Sequence, residues 1–351
     1  MGTKRMRVLV TGGAGYIGSV VAADLLQAGH QVVVFDNLSR GHREAVPKNA
    51  ELIVGELADR NHLDQVFRLR AIDAVMHFAA LIEAGESMKA PEKFFRNNTA
   101  NALTLLEAML AAGVKHFVFS STAALYGDPE RTPIAEDDPL RPTNAYGESK
   151  LLVERMLAWF HQIHGLRYAS LRYFNAAGAS RPDQGEAHQP ETHLVPRILE
   201  VALGRAEHVK VFGTDYPTRD GTCIRDYIHV SDLAHAHLLA LHALEDRVLE
   251  DRALKDRALK DARENSGPLI YNLGNGEGFS VRQVVEVARK VTGHPIPVIE
   301  SPRRAGDPAV LIASSEKIRR ELGWQPKFPD LKTMVESAWQ WHRNRPDGYP
   351  K

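Results

Sequence analysis

The sequence predicts an α/β fold: a doubly wound, mostly parallel sheet followed by a smaller C-terminal α/β unit. Three observations carry that expectation. Apolar runs bounded by turn residues recur at Arg7–Thr11, Gln31–Asp36, Ala74–Phe78, His116–Ser120 and Tyr168–Arg172. Segments long enough for helices separate them. Within each run the apolar character is continuous, as a parallel sheet covered on both faces requires.

With 351 residues the chain has material for one large α/β unit or two closely apposed ones, with a sizeable core. The 44 Lys and Arg balance the 44 Asp and Glu, so no overall positive field exists to hold nucleic acid or an anionic membrane. Any anionic ligand must be met by local groups. The single cysteine, Cys223, excludes an internal disulfide and leaves no CxxC zinc pair. Glycines interrupt the N-terminal apolar run too early for a secretory segment, and no run reaches the roughly 18 apolar residues of a membrane helix. A soluble, cytoplasmic protein without a nucleic-acid or membrane partner is expected.

After Asn175 the pattern loosens into RPDQGEAHQPETH, a polar stretch rich in Pro, Gly and His that reads as a loop leaving the sheet. IRDYIHVSDLAHAHLLALHAL then reads as a strand and helix returning to the first unit. The expected division is 1–175 for the first domain, rejoined by about 224–265, with 176–223 and 266–351 forming the second. The segment 245–264 carries a five-residue repeat, DRVLE, DRALK, DRALK, DARE. At about 100° per residue its leucines, Leu249, Leu254 and Leu259, step around a helix without lining one face. It reads as a solvated insertion with Asp251–Lys255 and Asp256–Lys260 pairs, not as a partner-binding helix.

The strongest local signal is Val8-Leu9-Val10-Thr11-Gly12-Gly13-Ala14-Gly15-Tyr16-Ile17-Gly18, a strand running into a glycine-rich turn and an apolar-periodic helix. Gly12 permits the tight turn, Gly15 removes a side chain where phosphates come close, and Gly18 lets helix and strand pack. The helix N-terminus then faces the anion. The spacing is GxxGxxG, not the GxGxxG dinucleotide fingerprint, and its strand–helix context is what makes it specific. Asp36 closes the second strand, where a carboxylate accepts from an adenosine ribose and repels the extra phosphate of NADP. The first domain is therefore expected to be Rossmann-like, with NAD as cofactor.

Tyr146-Gly147-Glu148-Ser149-Lys150 puts a phenol and an ammonium four residues apart, on one side of a helical turn. A free phenol, with pKa about 10, is a poor base at neutral pH. The Lys150 charge and a positive nicotinamide ring are expected to lower it, so that Tyr146 can accept a proton from a hydroxyl. Ser120-Ser121-Thr122 follows the fourth predicted strand, which ends at the ligand crevice, and Thr122 can bond the same hydroxyl.

In order along almost the whole chain, TGGAGYIGS, Asp36-Asn37-Leu38, HFAA, FSSTAALYG, YGESK, LRYFNAAGA, VFGTDYPTRDGTCIRDYIHV, YNLG and RAGDPA resemble the UDP-glucose 4-epimerases of the extended short-chain dehydrogenase/reductase family. The VFGTDYPTRDGTCIRDYIHV stretch is the most specific. The resemblance implies that Tyr146 removes the proton of the sugar 4-hydroxyl while hydride passes from carbon 4 to tightly held NAD. The 4-keto sugar then turns over and recovers hydride on its opposite face. It further implies that Gly12, Gly15, Tyr16, Ile17, Gly18, Asp36, Asn37, Phe78, Ala79, Ala80, Asn97, Lys150 and Tyr173 serve the cofactor, with Glu56 and Leu57 flanking adenine. Thr122, Tyr146, Asn175, Leu194, Phe212, Arg225, Tyr227, Arg304, Asp307 and Leu311 would line the UDP-sugar site. Two arginine forks suit a diphosphate, and Asp307 can accept from a ribose hydroxyl. A homodimer built by helices flanking the sheet is also implied.

The chain departs from well-known bacterial epimerases at Ile82, where a lysine usually reaches the cofactor, and at Glu56, Thr122 and Ala80, where aspartate, serine and glycine are usual. Leu311 stands where a bulky tyrosine often walls the sugar pocket, which opens room for an N-acetylated hexose. Ala123 and Ala124 occupy the place of the acid–base pair of 4,6-dehydratases and the decarboxylase glutamate, and argue against both reactions. UDP-pentose or UDP-uronate epimerisation stays open, and a non-catalytic NAD-binding regulator would not need Tyr146 and Lys150 together. His77, His116, His193, His229, His235 and His237 show no metal-ligating spacing and read as core or surface residues, His235 and His237 facing different ways on one helix. No metal is expected, and Cys223 reads as a small packed residue.

Overall fold

In the computed structural model, residues 5–255, 267–304 and 306–350 are described, the side chains of 247–255 excepted. The chain begins with β1 (Arg7–Thr11), α1 (Tyr16–Gln27), β2 (Gln31–Asp36), β3 (Glu51–Val54), α2 (Arg60–Arg70) and β4 (Ala74–His77). Short helices α3 (Ala84–Ser87) and α4 (Pro91–Phe94) and a π-helical turn, Phe95–Ala100, lead into α5 (Asn101–Ala111), β5 (His116–Thr122), α6 (Ala145–His164) and β6 (Arg167–Tyr173). Then come β7 (Asn175–Ala177), α7 (Leu194–Ala202), β8 (Val209–Phe212), β9 (Ile224–His229), α8 (Val230–Lys255) and β10 (Leu269–Leu273). The chain closes with β11 (Gly278–Ser280), α9 (Val281–Thr292), β12 (Val298–Ser301), β13 (Val310–Leu311), α10 (Glu316–Leu322) and α11 (Leu331–Asn344).

Seven parallel strands form the main sheet in the order β3-β2-β1-β4-β5-β6-β10. The doubly wound α/β expectation is met. The chain moves outward from β1 to β3, then returns to lay β4 on the other side of β1. Connections leave β1 and β4 in opposite directions, and a crevice opens at their carboxyl ends. Successive residues of each strand feed opposite layers: Val8, Val10, Val32 and Val34 face the core shared with α1 and α8, whereas Leu9, Val33 and Phe35 face α2, α5 and α6.

The smaller unit is organised on β9, which pairs antiparallel with β11 and parallel with β7 and β13. A parallel pair, β8 and β12, stands beside it. Helices α7, α9 and α11 bury Ile198, Leu199, Val284, Val285, Met334 and Val335 in one core.

Two of the expected boundaries shift. β9, at the start of the expected 224–265 return, lies in the small sheet. β10, expected in the second unit, closes the main sheet on β6. The physical reason is the open edge of β6: α8 packs along α1 and delivers the chain to that edge, whose backbone groups then gain a partner. Asp226 ties the crossings together, its carboxylate accepting from the backbone N–H groups of Asn275, Gly276 and Ala313 at 2.9–3.0 Å. Backbone of the repeat is helical up to Lys255; its leucine positions and charge pairs lie outside the described side chains.

Behind the carboxyl end of β5 sits a buried polar network. Arg172 is paired with Glu154 at 2.6 Å, Glu154 also accepts from the Ser121 hydroxyl at 2.6 Å, and Tyr126 links Arg172 to Asn272. The Arg172 and Glu154 side chains are 4% and 7% exposed, so removing one partner strands a buried charge. Arg172→Met is expected to cost about 3–5 kcal/mol in urea denaturation. A loss under about 1 kcal/mol would mean that the pair behaves as a surface one.

Candidate active site

The glycine turn is built by close backbone contact. Gly12 has φ +72°, and a Cβ there would lie 2.5 Å from the Ala79 nitrogen. A Cβ on Gly18 would lie 2.3 Å from the Gly12 carbonyl oxygen. The turn therefore sits directly on the end of β4, and α1 starts above it with Gly15 as an N-cap that uses no side chain. Its first N–H groups face the crevice, where an anion is stabilised. Asp36 accepts from the Ala14 N–H at 3.0 Å and the Leu38 N–H at 2.8 Å, which pins the end of β2 to the turn. Asn37 donates to Glu56. These groups fit the pyrophosphate and adenosine half of a dinucleotide.

The acid–base group is assembled by a second close contact. Helix α6 is capped by Asn144, whose side chain accepts from the Gly147 N–H at 2.8 Å. A Cβ on Gly147 would lie 2.5 Å from the Ala124 carbonyl oxygen. Glycine between Tyr146 and Glu148 thus lets the first turn of α6 press on the turn after β5, where the Thr122 hydroxyl accepts from the Ala124 N–H at 3.1 Å, and Tyr146 and Thr122 line the same cavity. Lys150, one turn along, donates to the Ser120 carbonyl at 2.9 Å and lies 4.9 Å from the Phe119 ring centre. Ser120 also bonds the Tyr173 hydroxyl. The strand alternates, so Ser120 and Thr122 face the cavity while Ser121 reaches back to Glu154.

The electrostatics differ from the expectation in one respect. Burial pushes the Tyr146 phenol up to about 12, opposed by the neighbouring Thr122 hydroxyl and helped by the charge of Glu83. Burial drives Lys150 down to about 7, opposed by Glu154 one turn further along α6. The chain's own groups therefore hold the phenol neutral, and the lowering expected from Lys150 is not among the influences on it.

All the sequence-predicted residues line one cavity of about 1080 Å³, larger than the roughly 300–1,000 Å³ usual for a single ligand. The residues expected to serve the cofactor, Gly12, Gly15, Tyr16, Ile17, Gly18, Asp36, Asn37, Glu56, Leu57, Phe78, Ala79, Ala80, Asn97, Lys150 and Tyr173, all line it. So do those expected at the sugar site, Thr122, Tyr146, Asn175, Leu194, Phe212, Arg225, Tyr227, Arg304, Asp307 and Leu311. There Asp307 accepts from Arg225, and Arg304 lies 3.9 Å over the Phe212 ring. Cys223 lines the same wall, and burial raises its thiol.

Two acidic residues at the site carry no motif signal, Glu83 on the cavity wall and Glu154 behind it. Glu83 is paired with Arg40 at 3.4 Å. Glu154 was legible as the residue four beyond Lys150, a spacing that shares a helix face. Among the histidines, His77 is buried, bonded to the Thr11 hydroxyl and held neutral by burial, with a pKa near 3. His237 is buried against Phe78 and Tyr173, while His235 is half-buried. His193 shares a cluster with Glu186, His188 and Glu191 at the cavity wall, its side chain 39% exposed.

A glycine turn at a switch point of the sheet, with a Tyr-x-x-x-Lys pair whose lysine is buried and with Thr122 on the same cavity wall, defines the class: a dinucleotide-dependent enzyme of doubly wound architecture. The chain belongs to the NAD dependent epimerase/dehydratase family, whose model matches residues 8–251. It is 52% identical to the UDP-glucose 4-epimerase of Halalkalibacterium halodurans over 345 residues, 98% of each chain. A crystal structure of a UDP-glucose 4-epimerase superposes with TM-score 0.89 at 48% identity, covering 98% of this chain and 100% of that one. The Bifidobacterium longum UDP-glucose 4-epimerase in complex with NAD+ and UDP gives TM-score 0.87 at 36% identity, again over 98% and 100%.

A buried lysine of this kind makes stability depend on pH. Its folded value of about 7 lies below the ordinary 10.5, so between them the unfolded chain binds the extra proton and stability rises with pH. Lys150→Met carries no such proton. Its stability relative to the parent is expected to be greatest below pH 7 and to shrink as pH climbs towards 10, measured by chemical denaturation at several pH values. A difference that does not change with pH would sink the neutral-lysine reading.

Proposed function

We propose that the chain interconverts UDP-glucose and UDP-galactose by transient oxidation at sugar carbon 4, with NAD tightly held and Tyr146 as the base. The observation that carries this reading is that Tyr146, Thr122 and Lys150 line one cavity shared by the glycine turn and the Arg225, Arg304 and Asp307 side. The identity to UDP-glucose 4-epimerases over nearly the full chain supports it. Gly12, Gly15, Asp36, Asn97, Lys150 and Tyr173 would hold NAD, which would supply the acceptor and donor of hydride.

The chain's own residues bind, orient and move a proton. Arg225 and Arg304 would take the diphosphate charge, and Asp307 would exchange Arg225 for a ribose hydroxyl. Thr122 would share the sugar 4-hydroxyl with Tyr146, and the phenol oxygen would receive its proton and later return it. A positive charge brought into the cavity lowers the cost of the phenolate, offsetting the burial that holds the resting phenol high. The cavity wall excludes water, which protects a keto sugar while it turns.

A second reading, activity on N-acetylated hexoses, is favoured by Leu311 on the cavity wall, a side chain smaller than an aromatic ring. Both readings meet one assay. Purified protein given UDP-galactose, with no added NAD, is expected to form UDP-glucose, and Tyr146→Phe to lose a factor of about 10²–10⁴ in kcat. Run in parallel, UDP-N-acetylgalactosamine is expected to turn over as well. No turnover of the acetylated sugar would remove the second reading alone. A Tyr146→Phe variant as fast as the parent would remove the base assignment.

The reading includes a cytoplasmic homodimer. Among the described residues no helix is long and apolar enough to cross a membrane. On α5 and α6, Leu103, Trp159 and Ile163 are exposed, at 37%, 63% and 64%, apolar side chains of the kind that pairing with a second copy would cover. Trp159→Glu is expected to convert a dimer into a monomer in sedimentation velocity. A parent chain that already sediments as a monomer would end that proposal.

A further inference from the structure

Outside the proton-handling group, the cavity wall carries four convergent donors. Glu186, His188, Glu191 and His193 each place one ligand atom within 4.8 Å of the other three. Among the described residues no other group of three or more His, Cys, Asp or Glu does so. We propose that this cluster is a binding site for a single zinc-class divalent cation, which staples the loop between β7 and α7 against the cofactor turn.

The donor set argues for that class of ion. Two imidazoles and two carboxylates match the nitrogen and oxygen ligands of four-coordinate zinc, whereas magnesium and calcium require shells made mostly of oxygen. Two carboxylates also balance a divalent charge, so the filled site is neutral. That matters at this depth, since the Glu186 and Glu191 side chains are each 6% exposed. The shortest separations are 2.7 Å from Glu186 to His193 and 3.0 Å from Glu186 to His188 and from Glu191 to His193. With metal–ligand distances of about 2.0–2.2 Å, a tetrahedral edge is about 3.3–3.6 Å. Filling the site therefore needs these contacts to open by about 0.3–0.9 Å and the wider separations, all within 4.8 Å, to close.

The loop is already shaped for the task. The Glu186 carbonyl accepts from the Trp341 indole at 2.8 Å, and the Gly185 N–H donates to the Tyr349 hydroxyl. Glu191 is oriented by the N–H groups of Thr192 and His193, both at 2.7 Å. His188 stands edge-on to Tyr16, the first residue of α1, with ring centres 6.4 Å apart. An ion here would fix the loop to the dinucleotide side, immediately before Leu194 and α7. Its role is to position the wall, and it takes no part in hydride or proton transfer.

The test uses full-length, tag-free protein stripped with a chelator, then titrated with Zn²⁺ and, separately, Co²⁺. One tightly held ion per chain is expected, with the visible absorption band of four-coordinate Co²⁺ and a raised thermal midpoint. His188→Gln and Glu191→Gln are each expected to weaken binding by at least about tenfold, with bound NAD reporting that the variants fold. X-ray absorption of the zinc-loaded parent, which needs no variant, is expected to show two imidazoles and no sulfur. Failure of the parent to retain an ion, unchanged affinity in both variants, or a shell containing the Cys223 sulfur would each overturn the proposal. None of these readouts depends on epimerase turnover, so the two proposals can fail separately.

Discussion

The structure depends most on a side chain that is missing. At Gly12 the backbone turns with positive φ so close to Phe78 and Ala79 that even one methyl group would penetrate the end of β4. That contact decides where α1 begins, and Gly18 repeats it by letting α1 lie on the Gly12 carbonyl. Asp36 then reaches Ala14 because the turn stands within hydrogen-bond range of the end of β2. Strand order, helix position and the anion-binding N-terminus are thus one geometric solution. A larger residue at either glycine would have to move backbone, not a flexible side chain.

The same device is used across the crevice. Gly147 brings the first turn of α6 onto the Ala124 carbonyl, and so sets the phenol of Tyr146 against Thr122. Once the helix is seated, electrostatics decide the protonation states. Lys150 is buried beside Phe119 and held near 7, while the Arg172–Glu154 pair lies one layer behind it. Glu154 favours the lysine charge, yet its carboxylate is already engaged by Arg172 and Ser121, so desolvation wins. The resting group is a neutral phenol next to a lysine that gives up its proton readily. In such a site a base becomes effective only when the cavity gains positive charge, which couples proton transfer to ligand occupancy.

Much of this was legible from sequence. β1 and β2 fall on the runs Arg7–Thr11 and Gln31–Asp36 because continuous apolar residues end there in Thr-Gly-Gly and Asp-Asn. The elements that escaped notice did so for physical reasons. β3 is a four-residue edge strand with no fully buried side chain, below the length at which a period shows. β10 joins β6 across almost a hundred residues, and nothing local in LIYNL distinguishes the main sheet from the small one. Glu186, His188, Glu191 and His193 lie in a loop, where neither helical nor strand spacing applies, so only the folded path brings their donors together.

The cavity's two walls come from distant parts of the chain, and the site becomes ordered accordingly. Tyr16, at the cofactor turn, donates to the Gly178 carbonyl at 2.6 Å beyond β7. The loop leading from there to α7 is held by Trp341 of α11 and by Tyr349 near the C-terminus. Asp226 joins β9 to the segments after β10 and β13. Each of these bonds spans tens of residues or more, and the loop is also held from the first half of the chain, where Arg40 and His42 bond the Gln189 and Ala187 carbonyls. The Rossmann-like sheet, by contrast, is made mainly of neighbouring strand–helix units whose contacts are more local. Cofactor-binding geometry can therefore form from the first half of the chain, whereas the opposite wall requires the last. A substitution under α11, far from any reacting atom, would loosen the substrate side while leaving the glycine turn intact.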